Sequence, residues 1–129
     1  MITEDYVSYE VAKLLKEKGF DSPCMGRYSV RSKEFHLDCT KMCNNGGLFE
    51  CAAPSQAMVM KWLREKYNIY ISIQPDFLSD KDYKMCWCWS ANILHDNCIT
   101  TKGYQCYIET YEEAANSAIK YCLENKLYD

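Results

Sequence analysis

The sequence predicts an α+β domain whose antiparallel sheet, a three-strand meander plus a short hairpin, is packed on one face by three helices. Two observations lead to this fold class. Apolar residues recur with helical spacing near both ends and in the middle of the chain, and apolar and polar residues alternate in the stretches between. The resulting order of helix, hairpin, helix, meander and helix is typical of α+β proteins. The 129 residues suffice for a single domain over residues 1–129.

The first helix is predicted at the start of the chain. Thr3 is suited to cap it, two acidic residues follow where the helix dipole is positive, and Gly19 is suited to end it. If Gly19 takes the left-handed conformation, Phe20 folds back towards Leu15 as in a Schellman ending. The apolar stripe of this helix consists of Val7, Val11, Leu14 and Leu15.

A hairpin and a loop are predicted next. Residues 28–30 and 35–37 alternate around a polar turn over residues 31–34, which is the pattern of two short paired strands. Two asparagines and two glycines over residues 44–47 then indicate a loop, because these residue types tolerate positive φ.

The second helix and the first two strands of the meander follow. Pro54 is suited to open a helix, since its missing N–H costs nothing there, and Asn68 is a suitable stop. Alternating isoleucines predict a half-buried strand over residues 69–74 that ends at Pro75. A turn over residues 79–82 then leads to the longest strand, residues 83–93.

The meander ends in a third strand, and a helix follows it. A polar loop is expected over residues 95–103. The strand after this loop carries on one face Tyr104, Cys106 and Ile108. Thr110 and Glu113 have the spacing of a capping box, in which each side chain accepts a free N–H at the helix start. Small alanines on the inner side of this last helix permit a close approach to the sheet.

Three parts of the chain resemble a known family. They are the stretches 2–7 and 12–20, the stretches 53–54 and 60–65, and the stretches 110–114 and 118–125. Together they resemble a family of short uncharacterised proteins from gut anaerobic bacteria and their prophages and other mobile elements. The resemblance covers the three helices, about half the chain, and implies a cytoplasmic accessory protein without an assigned activity. The cysteines are not part of the pattern, so the family does not imply a metal site.

The cysteines bear on where the protein folds. There are nine of them, an odd number, and the chain starts Met1-Ile2-Thr3-Glu4-Asp5 with neither the basic nor the apolar region of an export signal. Secreted disulfide scaffolds need such a signal and usually carry an even number of cysteines. We therefore expect reduced thiols, a cytoplasmic location and a chain held together by apolar packing.

Charge and hydropathy exclude two classes of partner. The formal net charge is −3. Binding to duplex nucleic acid depends on a basic face that displaces counterions, so this class is not expected. The longest apolar runs are only a few residues, far shorter than a membrane crossing requires.

One group of residues has the composition of a metal site. His36, Cys39, Cys43 and Cys51 supply one imidazole and three thiols within sixteen residues, and the spacing of Cys39 and Cys43 occurs among zinc ligands. A zinc-stabilised binding protein is therefore one hypothesis. The alternative is that these cysteines are small buried apolar side chains, because two closely spaced Cys-x-x-Cys pairs are missing. No other cofactor is indicated.

A thiol enzyme is a further hypothesis. A cysteine nucleophile with His36 or His95 as its base is conceivable, since such pairs meet in space rather than in sequence. His95 and Cys98 also form a second, weaker pair of potential ligands. The surrounding residues add nothing to either role.

The leading hypothesis concerns one face of the meander. Trp87 and Trp89 point to the face that helices are expected to cover. The opposite face is expected to carry Tyr70, Cys86, Cys88 and Tyr107. An exposed face of this kind is more apolar than a lone monomer usually displays. We therefore expect a non-enzymatic interaction module that uses these residues to bind another protein or itself.

Overall fold

The computed structural model describes residues 3–38, 42–77, 85–125 and 127. This part of the chain contains three helices and two antiparallel sheets of three strands each, which confirms the α+β class. The hairpin and the meander lie in two separate sheets, whereas one sheet was predicted. The elements are α1 Tyr9–Glu17, β1 Gly26–Ser29, β2 Phe35–Leu37, β3 Glu50–Ala52, α2 Gln56–Tyr67, β4 Ile69–Phe77, β5 Met85–His95, β6 Cys98–Ile108 and α3 Tyr111–Glu124.

The chain forms two compact units, Met1–Val59 and Met60–Asp129, and the boundary between them falls within α2. Each unit contains one of the two sheets. That the whole chain acts as a single domain stays a prediction.

Helix α1 begins later than its sequence pattern predicts. The cap is Ser8, whose hydroxyl accepts the N–H of Val11, and not Thr3. The residues before Ser8 are extended because they pair with a later segment: Val7 donates its N–H to the carbonyl of Pro54 at 3.1 Å. A tertiary pairing has thus overridden the local helix signal.

The predicted ending of α1 is confirmed. Gly19 has a φ of 86°, in the left-handed region. The N–H of Phe20 donates to the carbonyl of Leu15 at 2.9 Å, and the N–H of Gly19 to that of Lys16 at 3.2 Å. These are the two hydrogen bonds of a Schellman motif, and they turn the buried Phe20 ring back onto the helix.

The first sheet has the strand order β2-β1-β3. Its hairpin is the predicted one, with Tyr28 opposite Phe35. The third strand, β3, was not predicted, because its three residues, Glu50–Ala52, have no neighbouring segment across a short turn that would indicate a hairpin. It pairs with β1 and contacts α1. Arg27 on β1 lies between the carboxylates of Asp38 and Glu50, at 3.5 Å from each.

Helix α2 begins two residues after Pro54. The hydroxyl of Ser55 accepts the N–H of Met58, so Ser55 takes the place of a cap. Asn68, with a φ of 57°, ends the helix as predicted. Strand β4 then continues through Pro75, which was expected to end it. Proline is tolerated there because β4 is an edge strand, where an N–H is not needed for pairing.

The second sheet is the predicted meander, β4-β5-β6. Strands β5 and β6 are joined by a two-residue turn rather than by the expected loop over residues 95–103. Asp96 and Asn97 have φ values of 50° and 62°, the conformation of a type I′ turn. His95 and Cys98 lie directly opposite each other at its ends. The predicted turn over residues 79–82 and Tyr83 lie outside the described residues.

Helix α3 covers one face of this sheet. Its cap is confirmed, since the hydroxyl of Thr110 accepts the N–H of Glu113 at 3.1 Å. The ring of Trp87 meets Tyr111 edge-on, and the ring of Trp89 lies 5.3 Å from that of Tyr121. The inner side of the helix is buried and consists of Ala114, Ala115, Ala118, Ile119, Cys122 and Leu123.

Candidate functional site

The face of the β4-β5-β6 sheet opposite to α3, which we call the outer face, carries a groove with a volume of about 460 Å³. The groove exists because side chains alternate along each strand, so that residues between those contacting α3 point away from it. The described residues lining it are Tyr70, Ser72, Gln74, Ser90, Asn92, Leu94 and Ile99.

A smaller hollow of about 160 Å³ adjoins the groove. It shares Ser72, Gln74 and Ser90 with the groove, so the two form one continuous depression across all three strands. The residues added by the hollow are Cys88, Trp89, Tyr104 and Cys106. Every described residue that lines either depression is uncharged.

The floor of the groove is held by the side chain of Asn92. Its amide group donates to the carbonyl of Tyr70 and to the hydroxyl of Ser90, both at 3.1 Å. Its amide oxygen accepts a hydrogen bond of 2.7 Å from the hydroxyl of Thr101. Asn92 therefore links β4, β5 and β6 across the outer face. Because its polar atoms are used within the sheet, the floor is rigid.

The rim of this surface is apolar and exposed. Ile99 is 72% exposed and Tyr104 is 76% exposed. Both come from β6, which is an edge strand. Side chains of this size seldom protrude together from a monomer without a function, and tyrosine is enriched where proteins bind one another.

A bulge in β6 decides which side chains reach the outer face. Gln105 is opposite Trp89 and Ile108 is opposite Trp87, so Cys106 and Tyr107 both stand against the single residue Cys88. From strict alternation along the strand, the sequence predicted that Tyr104, Cys106 and Ile108 share one face. The extra residue separates them: the first two line the hollow, and Ile108 is paired with Trp87. Tyr107, with a φ of 65°, occupies the bulge.

Three of the four predicted partner-binding residues are accessible. Tyr70 lines the groove and Cys88 lines the hollow. Tyr107 is 73% exposed at the bulge of the edge strand β6. Cys86 is only 6% exposed, so its thiol offers little surface to a partner. Sequence reasoning did not include Ile99 or the groove-lining polar residues. Ile99 was missed because it lies within residues 95–103, which were expected to form a polar loop.

The Cys88 thiol on the outer face contacts an acidic side chain and a second cysteine. It donates to a carboxylate oxygen of Asp76 at 3.8 Å, and the Cys106 side chain hydrogen-bonds to it. Desolvation, followed by the hydrogen bond and negative charge of Cys106, raises the pKa of the Cys88 thiol to about 11. The N–H of Tyr107 opposes this rise. Cys88 is therefore a protonated thiol at neutral pH.

The residues of the predicted zinc site are only partly brought together. His36 is paired with Arg27, and Cys51 with Tyr28, on the two strands that flank β1. Since consecutive residues of β1 point to opposite faces, His36 and Cys51 also do so. Cys39 lies outside the described residues. Within residues 3–38, 42–77, 85–125 and 127, no three histidine, cysteine or acidic side chains are placed to hold a metal ion. The zinc site stays a prediction.

Cys43 instead lies beside a cysteine that the sequence did not single out. Cys24 and Cys43 exchange two backbone hydrogen bonds of 2.8 Å, and both are buried. Burial, and then the neighbouring Cys43, raise the pKa of the Cys24 thiol to about 11. Burial is also the largest cause of the raised pKa of Cys51, which lies close enough to Cys43 to feel its charge. These three thiols are part of the core of the first unit.

Both histidines that the thiol-enzyme hypothesis considers as a base are at the surface, and His95 also belongs to the weaker pair of potential ligands with Cys98. His95 and Cys98 stand opposite each other at the β5–β6 turn, and the imidazole lies 3.2 Å from a carboxylate oxygen of Asp96. All three are exposed to water, which screens such contacts and provides no fixed geometry for catalysis. His36 is likewise exposed on β2.

Comparison of the chain with protein-family models, with curated proteins and with solved structures found no match. Of the helices in the described part of the chain, none has both the length and the hydrophobicity of a membrane crossing.

Proposed function

We propose that the protein is a non-enzymatic interaction module that associates with a second copy of itself through the outer face. The observation that supports this is the continuous depression of groove and hollow, with the exposed Ile99 and Tyr104 at its rim. A sheet face of this kind buries aromatic and aliphatic area when a second surface covers it.

The charge of the lining favours a second copy over a charged partner. An interface related by two-fold symmetry brings each surface against itself, so any charge it carries meets a like charge. The described lining is uncharged although the chain carries a formal net charge of −3, and the Asp76 carboxylate beside it accepts a hydrogen bond from the Cys88 thiol, so two outer faces meet mainly through uncharged side chains. The same lack of cationic side chains disfavours nucleic acid, which requires basic residues along the backbone path.

The resemblance of the three helical stretches to proteins of prophages and mobile elements supports a role as an accessory protein of such an element. With it we propose a cytoplasmic location and reduced thiols.

The test is the molecular mass as a function of protein concentration, measured by light scattering in the presence of a reductant. We expect the wild-type mass to rise towards that of a dimer. Ile99→Ser with Tyr104→Ser is expected to weaken the association by about tenfold or more, because removing two large side chains that become buried on association costs at least about 1–2 kcal/mol. Both side chains are exposed, so the fold is expected to persist.

The matched control is Leu48→Ser with Phe49→Ser. These two side chains are 84% and 80% exposed but belong to the first unit, whereas the outer face belongs to the second. They are expected to leave the dimer unchanged. A monomer at every concentration, or a dimer lost only in the control variant, would show that the outer face is not the site of self-association.

A further inference from the structure

Two cysteines from neighbouring strands meet in the hollow of the outer face. The bulge places Cys106 and Tyr107 against Cys88, between the register pairs of Trp89 with Gln105 and of Trp87 with Ile108. Neighbouring strands are about 4.8 Å apart, and residues that face each other across them have Cα atoms about 4.5–5.5 Å apart. A disulfide spans Cα separations of about 4.4–6.8 Å, so the two cysteines are within its reach.

The side chains as well as the backbones converge. Cys88 and Cys106 both line the same hollow of about 160 Å³, and the Cys106 side chain hydrogen-bonds to the Cys88 thiol. The N–H of Tyr107 also contacts the Cys88 sulfur, which holds that sulfur at the bulge. Strict alternation on an unbulged strand predicts neither contact, because it places Cys106 on the side of Ile108.

Access distinguishes this pair from the other facing pair of cysteines. Cys24 and Cys43 also lie opposite each other, but they are 4% and 8% exposed, within the core of the first unit. Cys88 and Cys106 are both partly exposed at the surface of the second. A small oxidant in solution therefore reaches Cys88 and Cys106 before it reaches Cys24 and Cys43.

We propose that Cys88 and Cys106 are an oxidisable dithiol that hydrogen peroxide converts into a reversible disulfide. One thiol attacks the peroxide: its S–H bond and the O–O bond break, an S–O bond forms, and water leaves. The second thiol attacks the resulting sulfenic sulfur: its S–H bond and the S–O bond break, the S–S bond forms, and a second water leaves. Two thiols lose two electrons, and one peroxide is reduced to two waters. An intracellular disulfide of this kind is transient and redox-sensing rather than structural.

The proposal concerns these two thiols in the free protein; the self-association proposed above would cover the hollow, so the oxidation is measured at a protein concentration at which light scattering shows a monomer. The chemistry of the two thiols is slow by the standard of a catalytic cysteine, because the raised pKa of Cys88 keeps it protonated at neutral pH. A dithiol of this kind stays reduced at low peroxide and closes under oxidative load.

The experiment treats the reduced full-length protein with hydrogen peroxide, then blocks the remaining thiols with iodoacetamide and locates modified cysteines by fragmentation mass spectrometry. We expect Cys88 and Cys106 to lose alkylation together, with the mass of two hydrogen atoms lost and no oxygen gained. Dithiothreitol is expected to restore both. Cys24 and Cys43 are expected to remain unoxidised over the same period.

Two variants distinguish a bridge between Cys88 and Cys106 from separate oxidation of single thiols. In Cys106→Ala, Cys88 has no partner and is expected to gain oxygen as a sulfenic or sulfinic acid instead of forming a bridge. Cys98→Ala removes an exposed thiol outside the hollow and is expected to leave the bridge unchanged. Independent oxidation of Cys88 and Cys106, or earlier bridging of any other pair, would overturn the proposal.

Discussion

The ring of Tyr121 on α3 lies directly against Gly103 on β6. A Cβ atom at residue 103 would fall closer to carbon atoms of that ring than real side chains approach, and the Tyr121 hydroxyl donates to the carbonyl of Lys102 at 2.9 Å. The glycine therefore allows the helix to sit close to the sheet. This contact joins α3 to β6 on the face of the sheet opposite to the outer face.

Gly103→Ala is accordingly expected to lower the free energy of unfolding by about 1–3 kcal/mol, the usual cost of forcing a methyl group into a filled space. Urea denaturation measures it. Gly47→Ala is the matched control, since nothing lies within 4 Å of the position of its added Cβ and its φ is not in the left-handed region. An equal loss in both variants would show that the Tyr121 contact is not the cause.

The β5–β6 turn offers a stabilising change. Asp96 and Asn97 both have positive φ. This conformation is unfavourable for any residue with a Cβ atom and is not unfavourable for glycine. Asn97→Gly is expected to raise the free energy of unfolding by about 0.5–1 kcal/mol, because Asp-Gly is a preferred type I′ sequence. Asn97→Val, with a branched side chain at the same φ, is expected to destabilise the protein. Thermal denaturation of the two variants compares them, and the opposite order would contradict the turn type.

The cap of α3 is a local feature that a single hydroxyl supplies. Thr110→Ala removes the acceptor of the Glu113 N–H and is expected to cost about 1 kcal/mol of stability. Thr110→Ser keeps the oxygen and is expected to retain most of it. If the two variants unfold at the same urea concentration, the hydroxyl does not contribute.

Burial of the Cys122 thiol on α3 is expected to make the protein less stable at alkaline pH. Desolvation raises the pKa of Cys122 from about 9 to about 12. Above pH 9 the thiol of the unfolded chain releases its proton while that of the folded chain keeps it. Proton release therefore favours unfolding, and the free energy of unfolding falls as pH rises. By pH 10.5 this loss is on the order of 1–2 kcal/mol for Cys122.

Urea denaturation at pH 7.5 and pH 10.5 tests this dependence. We expect the difference between the two pH values to be smaller in Cys122→Ala than in the wild type. The exposed Cys98→Ala is expected to retain the full difference. Part of the dependence remains in Cys122→Ala because the raised pKa of Cys24 acts in the same direction. An unchanged difference in Cys122→Ala would contradict the assignment.

The ends of helices and strands could be predicted only where the contacts that decide them are local. The ending of α1 at Gly19 and the cap of α3 at Thr110 were predicted because each depends on residues within a few positions. The start of α1 was not, because the N–H of Val7 bonds to Pro54, nearly fifty residues away in sequence. The continuation of β4 through Pro75 depends in the same way on the neighbouring strand.

The candidate site was likewise predicted where it depends on local alternation and missed where it depends on a bulge. Alternation along β4 and β5 correctly put Tyr70 and Cys88 away from the helix that covers Trp87 and Trp89. Alternation failed on β6, where the extra residue at the bulge turned Cys106 to the outer face. A bulge leaves no mark in the spacing of apolar residues, so pattern alone could not pair the two thiols.

From sequence alone follow the α+β class, the meander, the ending of α1, the cap of α3 and the exclusion of long apolar spans, because each depends on residue type and short-range spacing. Tertiary structure alone decided that the strands form two sheets, which cysteines face each other and where the groove lies. Such contacts join residues far apart in sequence, and their register depends on the packing of whole elements rather than on any local preference.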